Sequence, residues 1–241
     1  MKIQWNKVTW YSKSLALALF VALPFIGFYF GEKYGEINGS ANFFQKYNAL
    51  TQASQNSTEQ TSTDYYENVA AWQTDNNNTG WSIAYPIDFD INDNYSITPI
   101  DDWRQGTPGG SGLKPFTLVI PKVFEPQTNF AEATLSVGVS GDQKAIMQCL
   151  IAGSANGVTA TSTATINGVI FAVIDSADAG AGNYYETTSY RTIHDGQCYT
   201  VEYTIHSGQI ANYPSEYQLK PFDETKLHDV LDRIVGTFRF D

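Results

Sequence analysis

The chain has 241 residues, of which 42% are hydrophobic and 14% aromatic, enough to pack the core of one ordinary domain. Its net charge of -11 is unevenly placed: residues 1–13 hold three lysines and no acid, whereas residues 37–241 hold 10 basic and 23 acidic side chains. So acidic a region repels phosphate backbones, which excludes nucleic acid as an expected partner. It also offers no polybasic patch for anionic lipids.

An uncharged apolar segment, residues 14–31, follows the basic N-terminus. As a helix its 18 residues would span roughly 27 Å, close to the ~30 Å hydrocarbon core of a bilayer. Trp10 and Tyr29 stand near its two ends, as interfacial aromatic residues do. The positive-inside rule then predicts residues 1–13 as a cytoplasmic tail, 14–31 as a transmembrane anchor of the cell membrane, and an extracytoplasmic remainder.

A cleaved signal peptide is the alternative interpretation of this segment. Cleavage requires small residues at positions -3 and -1 soon after the apolar core, but residues 28–33 are bulky and then charged. Gly39 and Ala41 would fit, although they lie about ten residues too far along. The pattern therefore favours a retained anchor, with a buried soluble helix as a third possibility.

A polar stalk is predicted over residues 32–66, before an extracytoplasmic domain over residues 67–241. Within the stalk, residues 51–64 contain one alanine and no larger apolar side chain. Such a segment buries too little apolar surface to offset its ordering entropy, which is typical of a flexible linker.

The chain has two cysteines, Cys149 and Cys198, both in the predicted outer domain. An even pair in an exported domain predicts a disulfide, which would stabilise the fold by roughly 4 kcal/mol on the chain-entropy model. The spacing excludes a CxxC redox motif, and two cysteines with dispersed histidines make a poor zinc set. The alternative is a pair of buried, unpaired thiols; we expect no metal or other cofactor.

Short runs rich in β-branched residues predict strands at 81–85, 117–121 and 133–140. Asn167-Gly168 and Asp195-Gly196 are strong signals for two-residue hairpin turns.

A two-residue turn at Asp195-Gly196 places Ile193 opposite Cys198 and Tyr190 opposite Val201. The residues from Tyr199 to Ile205 alternate so that Cys198, Thr200 and Glu202 point away from the apolar face. A helix must cover that second face for Cys149 to reach Cys198, and residues 142–151 are the candidate.

The last helix is predicted from apolar residues at positions i, i+3, i+4 and i+7: Leu227, Val230, Leu231 and Ile234. Asp223 can cap its N-terminus and Gly236 can end it, before a short strand at 237–240. The predicted class is α+β, a mostly antiparallel sheet flanked by helices and preceded by one transmembrane helix.

Trp72-Gln-Thr followed by the run from Gly80 to Pro86 resembles the opening of PsbP/Mog1-like domains found on anchored bacterial surface proteins. The closing helix and Gly236-Thr237-Phe238-Arg239-Phe240 resemble the "SFRF"-like ending of those domains. The resemblance covers residues 67–241 and implies an antiparallel sheet between helices. The relatives are mainly binding or assembly factors, so it implies no catalytic residue.

No catalytic residue is assigned, and we expect a protein that is not an enzyme. His194, His206 and His228 are dispersed, and His206 and Ser207 are strand neighbours that point to opposite faces. The alternative is an exported hydrolytic enzyme, which needs a histidine within hydrogen-bonding reach of a carboxylate or serine. A calcium site is a further alternative, since residues 88–94 begin D-x-D-x-N, but they lack the glycine at position six.

Tyrosines are concentrated late in the chain: Tyr184, Tyr185, Tyr190, Tyr199, Tyr203, Tyr213 and Tyr217. Such side chains either fill a β-rich core or, where exposed, suit contact with protein or carbohydrate. We predict a non-catalytic binding or assembly module of the cell envelope. Its ligand is unknown, and its partner is another envelope protein or an extracellular ligand.

Overall fold

The structure is a computed structural model, and it describes the chain in parts. The described residues are 10, 13–16, 19–20, 23, 66–76, 80–92, 96–105, 110–152 and 158–241. The chain divides into two compact units, Met1–Gln60 and Thr61–Asp241.

The described positions of the first unit are helical, and their large apolar side chains are exposed. These side chains are Trp10, Leu15, Leu19, Phe20 and Leu23. Most of the predicted anchor, residues 14–31, and all of the predicted stalk up to residue 65 lie outside the described residues. Within the described parts of the chain, no helix is both long and apolar enough to cross a membrane.

The second unit is built from antiparallel strands. They are β1 (Gln73–Asp75), β2 (Trp81–Tyr85), β3 (Asp90–Ile91), β4 (Ser96–Ile100), β5 (Gly112–Pro121), β6 (Phe130–Ser140), β7 (Val158–Ile166), β8 (Val169–Gly180), β9 (Asn183–His194), β10 (Gln197–Gly208) and β11 (Arg239–Phe240). Besides the helical residues 66–67, the described helices of this unit are α1 (Gln143–Met147) and α2 (Glu224–Gly236), with short 3-10 turns at Val69–Ala71, Lys122–Phe124, Ile210–Asn212 and Ser215–Tyr217. The large sheet runs β3-β5-β6-β10-β9-β8-β7 with β4 beside β5, and the small sheet runs β1-β2-β11.

Both predicted hairpin turns are confirmed. Asn167 and Gly168 have φ of 45° and 85°, and Asp195 and Gly196 have φ of 46° and 73°. Positive φ at both central residues is the type I′ geometry that matches strand twist, which explains the Asn-Gly and Asp-Gly pairs. The register is also as predicted, because Ile193 pairs with Cys198 and Tyr190 with Val201.

The large sheet has two unlike faces, and alternation along β10 shows the difference. Tyr199, Val201, Tyr203 and Ile205 lie on the core face, which packs against α2 and the small sheet. Cys198, Thr200, Glu202, Thr204 and His206 lie on the opposite face, here called the polar face. Between the layers, the Trp81 ring is 6.2 Å from that of Phe116 and 5.8 Å from that of Phe238.

The closing helix forms as predicted. All four residues of its apolar stripe are buried. The Asp223 carboxylate accepts a hydrogen bond from the Lys226 backbone N–H at 3.0 Å, and the helix ends at Gly236. The strand after it is shorter than predicted: only Arg239 and Phe240 pair with β2. The predicted class, α+β with a mostly antiparallel sheet, is confirmed.

The helix predicted over residues 142–151 is shorter than expected. It covers only Gln143–Met147, after an Asp142 cap, and gives way to a turn. Because Cys149 must come down onto Cys198, the chain leaves the helical path there. The carbonyl oxygens of Cys149 and Gln148, just after the helix, accept hydrogen bonds from Arg104 at 3.3 and 3.4 Å.

Candidate functional site

A loop crosses the polar face of the large sheet and shapes the candidate site. We call residues 101–105, between β4 and β5, the strap. Trp103 is its buried anchor and packs with Ala145, Cys149 and Cys198. The ring lies close to the sheet because Gly112 and Gly138 have no side chains: a Cβ would fall 2.4 Å from the ring carbon Cδ2 at Gly112 and 2.9 Å from Cε3 at Gly138.

The predicted disulfide is confirmed. Cys149 and Cys198 are joined, with their Cα atoms 5.6 Å apart, and both are fully buried. The bond holds the segment after α1 against the polar face, beside Trp103. It therefore forms one wall of the region in which the strap lies.

Two arginines are buried beside the disulfide. Arg104 is 4% exposed and donates to the carbonyls of Gln148 and Cys149. Its Nε finds no acceptor among the described residues. Arg191, 1% exposed, donates to the Ser189 hydroxyl at 2.9 Å and to the Gln105 carbonyl at 2.8 Å.

Glu202 supplies a buried negative charge on β10. Its carboxylate is 5% exposed and accepts the Gln105 backbone N–H, at 3.0 and 3.2 Å from its two oxygens. The backbone of Gln105 therefore bonds to both charged side chains of the sheet: its N–H donates to Glu202 and its carbonyl accepts from Arg191. Among the described residues, neither buried arginine forms a direct ion pair with an acid.

Burial destabilises the charged form of both arginines relative to the neutral form. Burial and, to a smaller extent, repulsion from Arg191 lower the pKa of Arg104 to about 10, and the attraction of Glu202 limits the shift. Burial also lowers the pKa of Arg191, again opposed by Glu202. Both guanidiniums remain charged at neutral pH, because arginine keeps its proton in proteins. The site thus holds two positive charges and one negative charge out of water.

Arg104 and Glu202 border an open recess of about 200 Å³. The strap contributes Asp102, Arg104 and Gln105, and the sheet contributes Lys114, Thr134, Ser136, Glu202 and Thr204. Every one of these side chains can donate or accept hydrogen bonds, and both signs of charge are present. The recess is suited to a small polar ligand.

The three histidines lie elsewhere. The His194 ring stacks on Phe240, with centroids 3.8 Å apart. His206 stacks on Tyr185 and donates from Nε2 to the Asn183 side-chain oxygen at 2.9 Å. His228 Nδ1 is 3.1 Å from the Tyr203 hydroxyl on the core side. None of them lines the recess.

The tyrosines divide between core and surface. Tyr199 and Tyr203 are buried, Tyr190 and Tyr213 are half-buried, and Tyr184, Tyr185 and Tyr217 are exposed. Core packing therefore accounts for some of these tyrosines and not for the three exposed ones.

The acidic run at residues 88–94 is only partly described, because residues 93 and 94 lie outside the described residues. Asp88 accepts a hydrogen bond from the Tyr66 hydroxyl. Among the described residues, no group of three or more potential ligands is placed to hold a metal ion.

Sequence reasoning located Glu202 on the second face but missed the strap and both arginines. The available signal was alternation: Ser189 and Arg191 on β9 and Thr200 and Glu202 on β10 put polar side chains on one face of central strands. The strap had no such signal, because its position depends on contacts with distant residues.

The fold and site define a small α+β domain with a polar recess on one face of its large sheet. The sequence matches no protein-family model and no curated protein. Among solved structures, a protein of Bacteroides thetaiotaomicron, whose crystal structure has a resolution of 1.50 Å, is similar at 13% identity and a TM-score of 0.32. The match covers 67% of this chain and 45% of that one, so this chain spans less than half the length of that protein.

Proposed function

We propose that this chain is a non-catalytic binding module, anchored in the cell membrane and facing outward, whose ligand occupies the recess on the polar face. The observation that carries the proposal is an open recess whose lining is entirely polar and includes Arg104 and the buried Glu202, with the buried Arg191 behind it bonded to Gln105. The acceptors of both arginines are mostly carbonyl oxygens rather than carboxylates.

Stability alone is a poor reason for such an arrangement. Removing charges from water is costly, and buried ionic groups can often be replaced by apolar side chains of similar volume with no loss of stability. Charged groups held in place beside a recess are, in contrast, ready to receive a ligand without reorganisation. The ligand would bond to the polar side chains that line the recess.

The outward location rests on two further observations. The described N-terminal positions are helical with exposed apolar side chains, among them Leu15, Phe20 and Leu23. The Cys149–Cys198 disulfide is of a kind that persists in oxidising compartments. Together with the basic residues at 1–13, they support an N-terminal membrane helix with the domain outside.

A protease protection experiment tests this topology. The chain carrying one tag at each end is expressed in cells, and protease is added from outside. The C-terminal tag should be lost, and the N-terminal tag should stay protected in the membrane fraction. Protection of the C-terminal tag, or recovery of the chain without the membrane, would refute the topology.

The PsbP/Mog1-like family remains our proposal for the origin of the domain. Its support is the pair of end motifs and an antiparallel sheet packed against a closing helix. Binding and assembly roles predominate in that family, which agrees with a non-catalytic module, but agreement at the level of fold is analogy.

Ligand binding in the recess is tested by a thermal-shift screen of the full-length protein against small polar compounds. Ser136 is half-buried and lines the recess, so Ser136→Phe should fill it without changing a charge. Compounds that stabilise the natural protein should lose their effect on this variant. The control is Thr163→Phe, an exposed position on the edge strand β7. Shifts equal in both variants would show that binding occurs elsewhere.

A further inference from the structure

The strand β7 lies at one end of the large sheet and forms an uncharged edge. It pairs with β8 on one side, and no strand in the described part of the chain pairs with its other side. Its nine residues, Val158–Ile166, include no charged residue and no proline. A strand of this kind presents a row of backbone N–H and C=O groups, which makes it a template for pairing with another strand.

Other edges of the large sheet carry features that oppose pairing. At the far end, β3 has only two residues and β4 contains Pro99, which has no N–H to donate. Residues 177–180 of β8 extend past the pairing with β7, and there the Asp178 carboxylate accepts the backbone N–H of Ala179 at 2.8 Å. The sequence of β7 contains none of these devices.

The hairpin of β7 and β8 fixes which backbone groups face outward. Ile166 and Val169 flank the two-residue turn and form a hydrogen-bonded pair. Hydrogen-bonded and non-hydrogen-bonded pairs alternate along antiparallel strands. Every second residue of β7 therefore bonds to β8, and the residues between them turn their backbone groups outward. These residues include Thr161, Thr163 and Thr165, all three of which are exposed.

The sequence of this edge reads the same in both directions. Its central part is Thr159-Ala160-Thr161-Ser162-Thr163-Ala164-Thr165. Two copies placed antiparallel about Ser162 therefore oppose threonine to threonine, alanine to alanine and serine to serine. The outward backbone groups of Thr161 then meet those of Thr163 in the second copy, as a hydrogen-bonded pair requires. Threonine pairs across neighbouring strands are themselves favourable.

We infer that β7 is a self-association surface, at which two copies of this chain join their large sheets into one continuous antiparallel sheet. The two-fold axis passes through the Ser162 pair, so the interface is closed and the same on both copies. About eight backbone hydrogen bonds form, two for each threonine pair. Residues 37–241 hold 10 basic and 23 acidic side chains, so two copies repel each other least at an uncharged edge.

This surface is separate from the recess. The recess is bordered by the strap and by side chains of β5, β6 and β10, and none of its lining residues lies on β7. Self-association therefore leaves the recess open, and it can be tested without a ligand.

Sedimentation of the full-length chain in detergent measures the oligomeric state. The natural chain should be a dimer. Thr163→Pro removes an outward N–H and leaves the bonds to β8 in place, so it should weaken dimerisation at least about tenfold. Thr163→Val, which keeps the N–H and a β-branched side chain, should remain a dimer. A monomeric natural chain, or a Thr163→Pro chain that dimerises as strongly, overturns the inference.

Cysteine cross-linking tests the register and does not require Thr163→Pro to fold. In the inferred pairing the two Ser162 Cα atoms are about 4.5 Å apart, which suits a disulfide. The two Cα atoms at position 163 are roughly 9 Å apart, too far for a bridge. Mild oxidation should therefore give a covalent dimer of Ser162→Cys and none of Thr163→Cys. Equal cross-linking of the two variants, or none of either, overturns the pairing.

Hydrogen exchange at the amides of Thr161 and Thr165 distinguishes other occupants of the edge. Both amides should exchange slowly in the natural chain and faster in Thr163→Pro. Slow exchange in a monomer would show that another segment of the same chain covers β7. Fast exchange in a monomer would leave the edge to a strand of a different protein, and either result overturns self-association.

Discussion

At the scale of single residues, small and charged side chains decide the shape of the polar face. Gly138 allows Trp103 to lie against the sheet, and Glu202 holds the strap through the Gln105 backbone N–H. Neither residue contributes apolar area to the main core. Both residues fix the position of the strap, and the strap forms one side of the recess.

Gly138→Ala is expected to destabilise the domain by about 1–3 kcal/mol, the usual cost of overpacking. The new Cβ would fall 2.7 Å from the Thr200 Oγ1 and 2.8 Å from the Trp103 carbonyl, and a backbone atom cannot easily move away. Gly141→Ala is the control, because its Cβ would meet only the Gln197 side chain, at 3.6 Å. Urea unfolding measures both, and equal stabilities would contradict this account of Trp103.

At the scale of elements, local signals explain the hairpins and the closing helix. In α2 the apolar stripe faces the core, and Asp223 satisfies a backbone N–H that has no partner within the helix. The type I′ turns follow from Asn-Gly and Asp-Gly in the same local way. The short α1 is different, because its end is imposed by the disulfide and by Arg104.

Replacing the helix cap, Asp223→Ala, should reduce the free energy of unfolding by about 1 kcal/mol, as loss of an N-cap usually does. The control is Asp229→Ala, which removes the same charge from an exposed position within α2 and keeps the cap. Thermal denaturation followed by circular dichroism compares the two. If Asp229→Ala lowers the stability as much as Asp223→Ala does, the loss of charge and not the loss of the cap explains the effect.

At the scale of the whole domain, one sheet separates two environments. The core face is covered by α2 and the small sheet, whereas the polar face is covered in part by the strap and the disulfide-bonded segment. The Cys149–Cys198 bond spans 49 residues of sequence and fastens that segment to β10. Loss of the bond should therefore affect both stability and the recess.

Removing the disulfide with Cys149→Ala and Cys198→Ala together should reduce the free energy of unfolding by roughly 4 kcal/mol, from loop-closure entropy. Because Arg104 donates to the carbonyls of Gln148 and Cys149, the variant should also lose the recess-dependent thermal shifts. Denaturant titration and the compound screen measure the two effects. Full retention of those shifts would separate the disulfide from the site.

Stability should also fall at alkaline pH. Burial raises the pKa of Tyr190 and of Tyr203 above the ordinary 10.0, and the Asp232 carboxylate, which accepts from both hydroxyls at 3.0 Å, raises both further. The unfolded chain releases these protons from about pH 10 upward while the folded chain keeps them, so stability present below pH 10 is lost as the pH rises. The lowered pKa values of Arg104 and Arg191 act in the opposite direction at high pH, but burial also raises the pKa of Tyr85 and of Tyr199, so four tyrosines oppose two arginines.

Absorbance of tyrosinate measures this pH dependence. A subset of tyrosines should resist ionisation until the domain unfolds, and the double variant Tyr190→Phe and Tyr203→Phe should have a flatter stability profile above pH 10. The control is Tyr217→Phe, at an exposed position. Titration of all tyrosines together near pH 10 without unfolding would contradict the prediction.

The amino-acid sequence alone determined the local and periodic features: the alternating strands, the two hairpins and their register, the capped closing helix, and the pairing of the two cysteines. These depend on spacing and turn chemistry within a few residues, or on there being only one possible pair. The apolar N-terminal segment, the predicted anchor, belongs to the same kind of inference and remains a prediction.

Only the tertiary structure decided the site. Arg191 and Glu202 lie on one hairpin, but Arg104 is far from both in sequence and meets them because the strap lies on the sheet between Gly138 and the disulfide. Tertiary contacts also determine where α1 ends and which tyrosines are buried. The physical reason is that a buried charge depends on long-range contacts for its acceptors, and no local periodicity records those contacts.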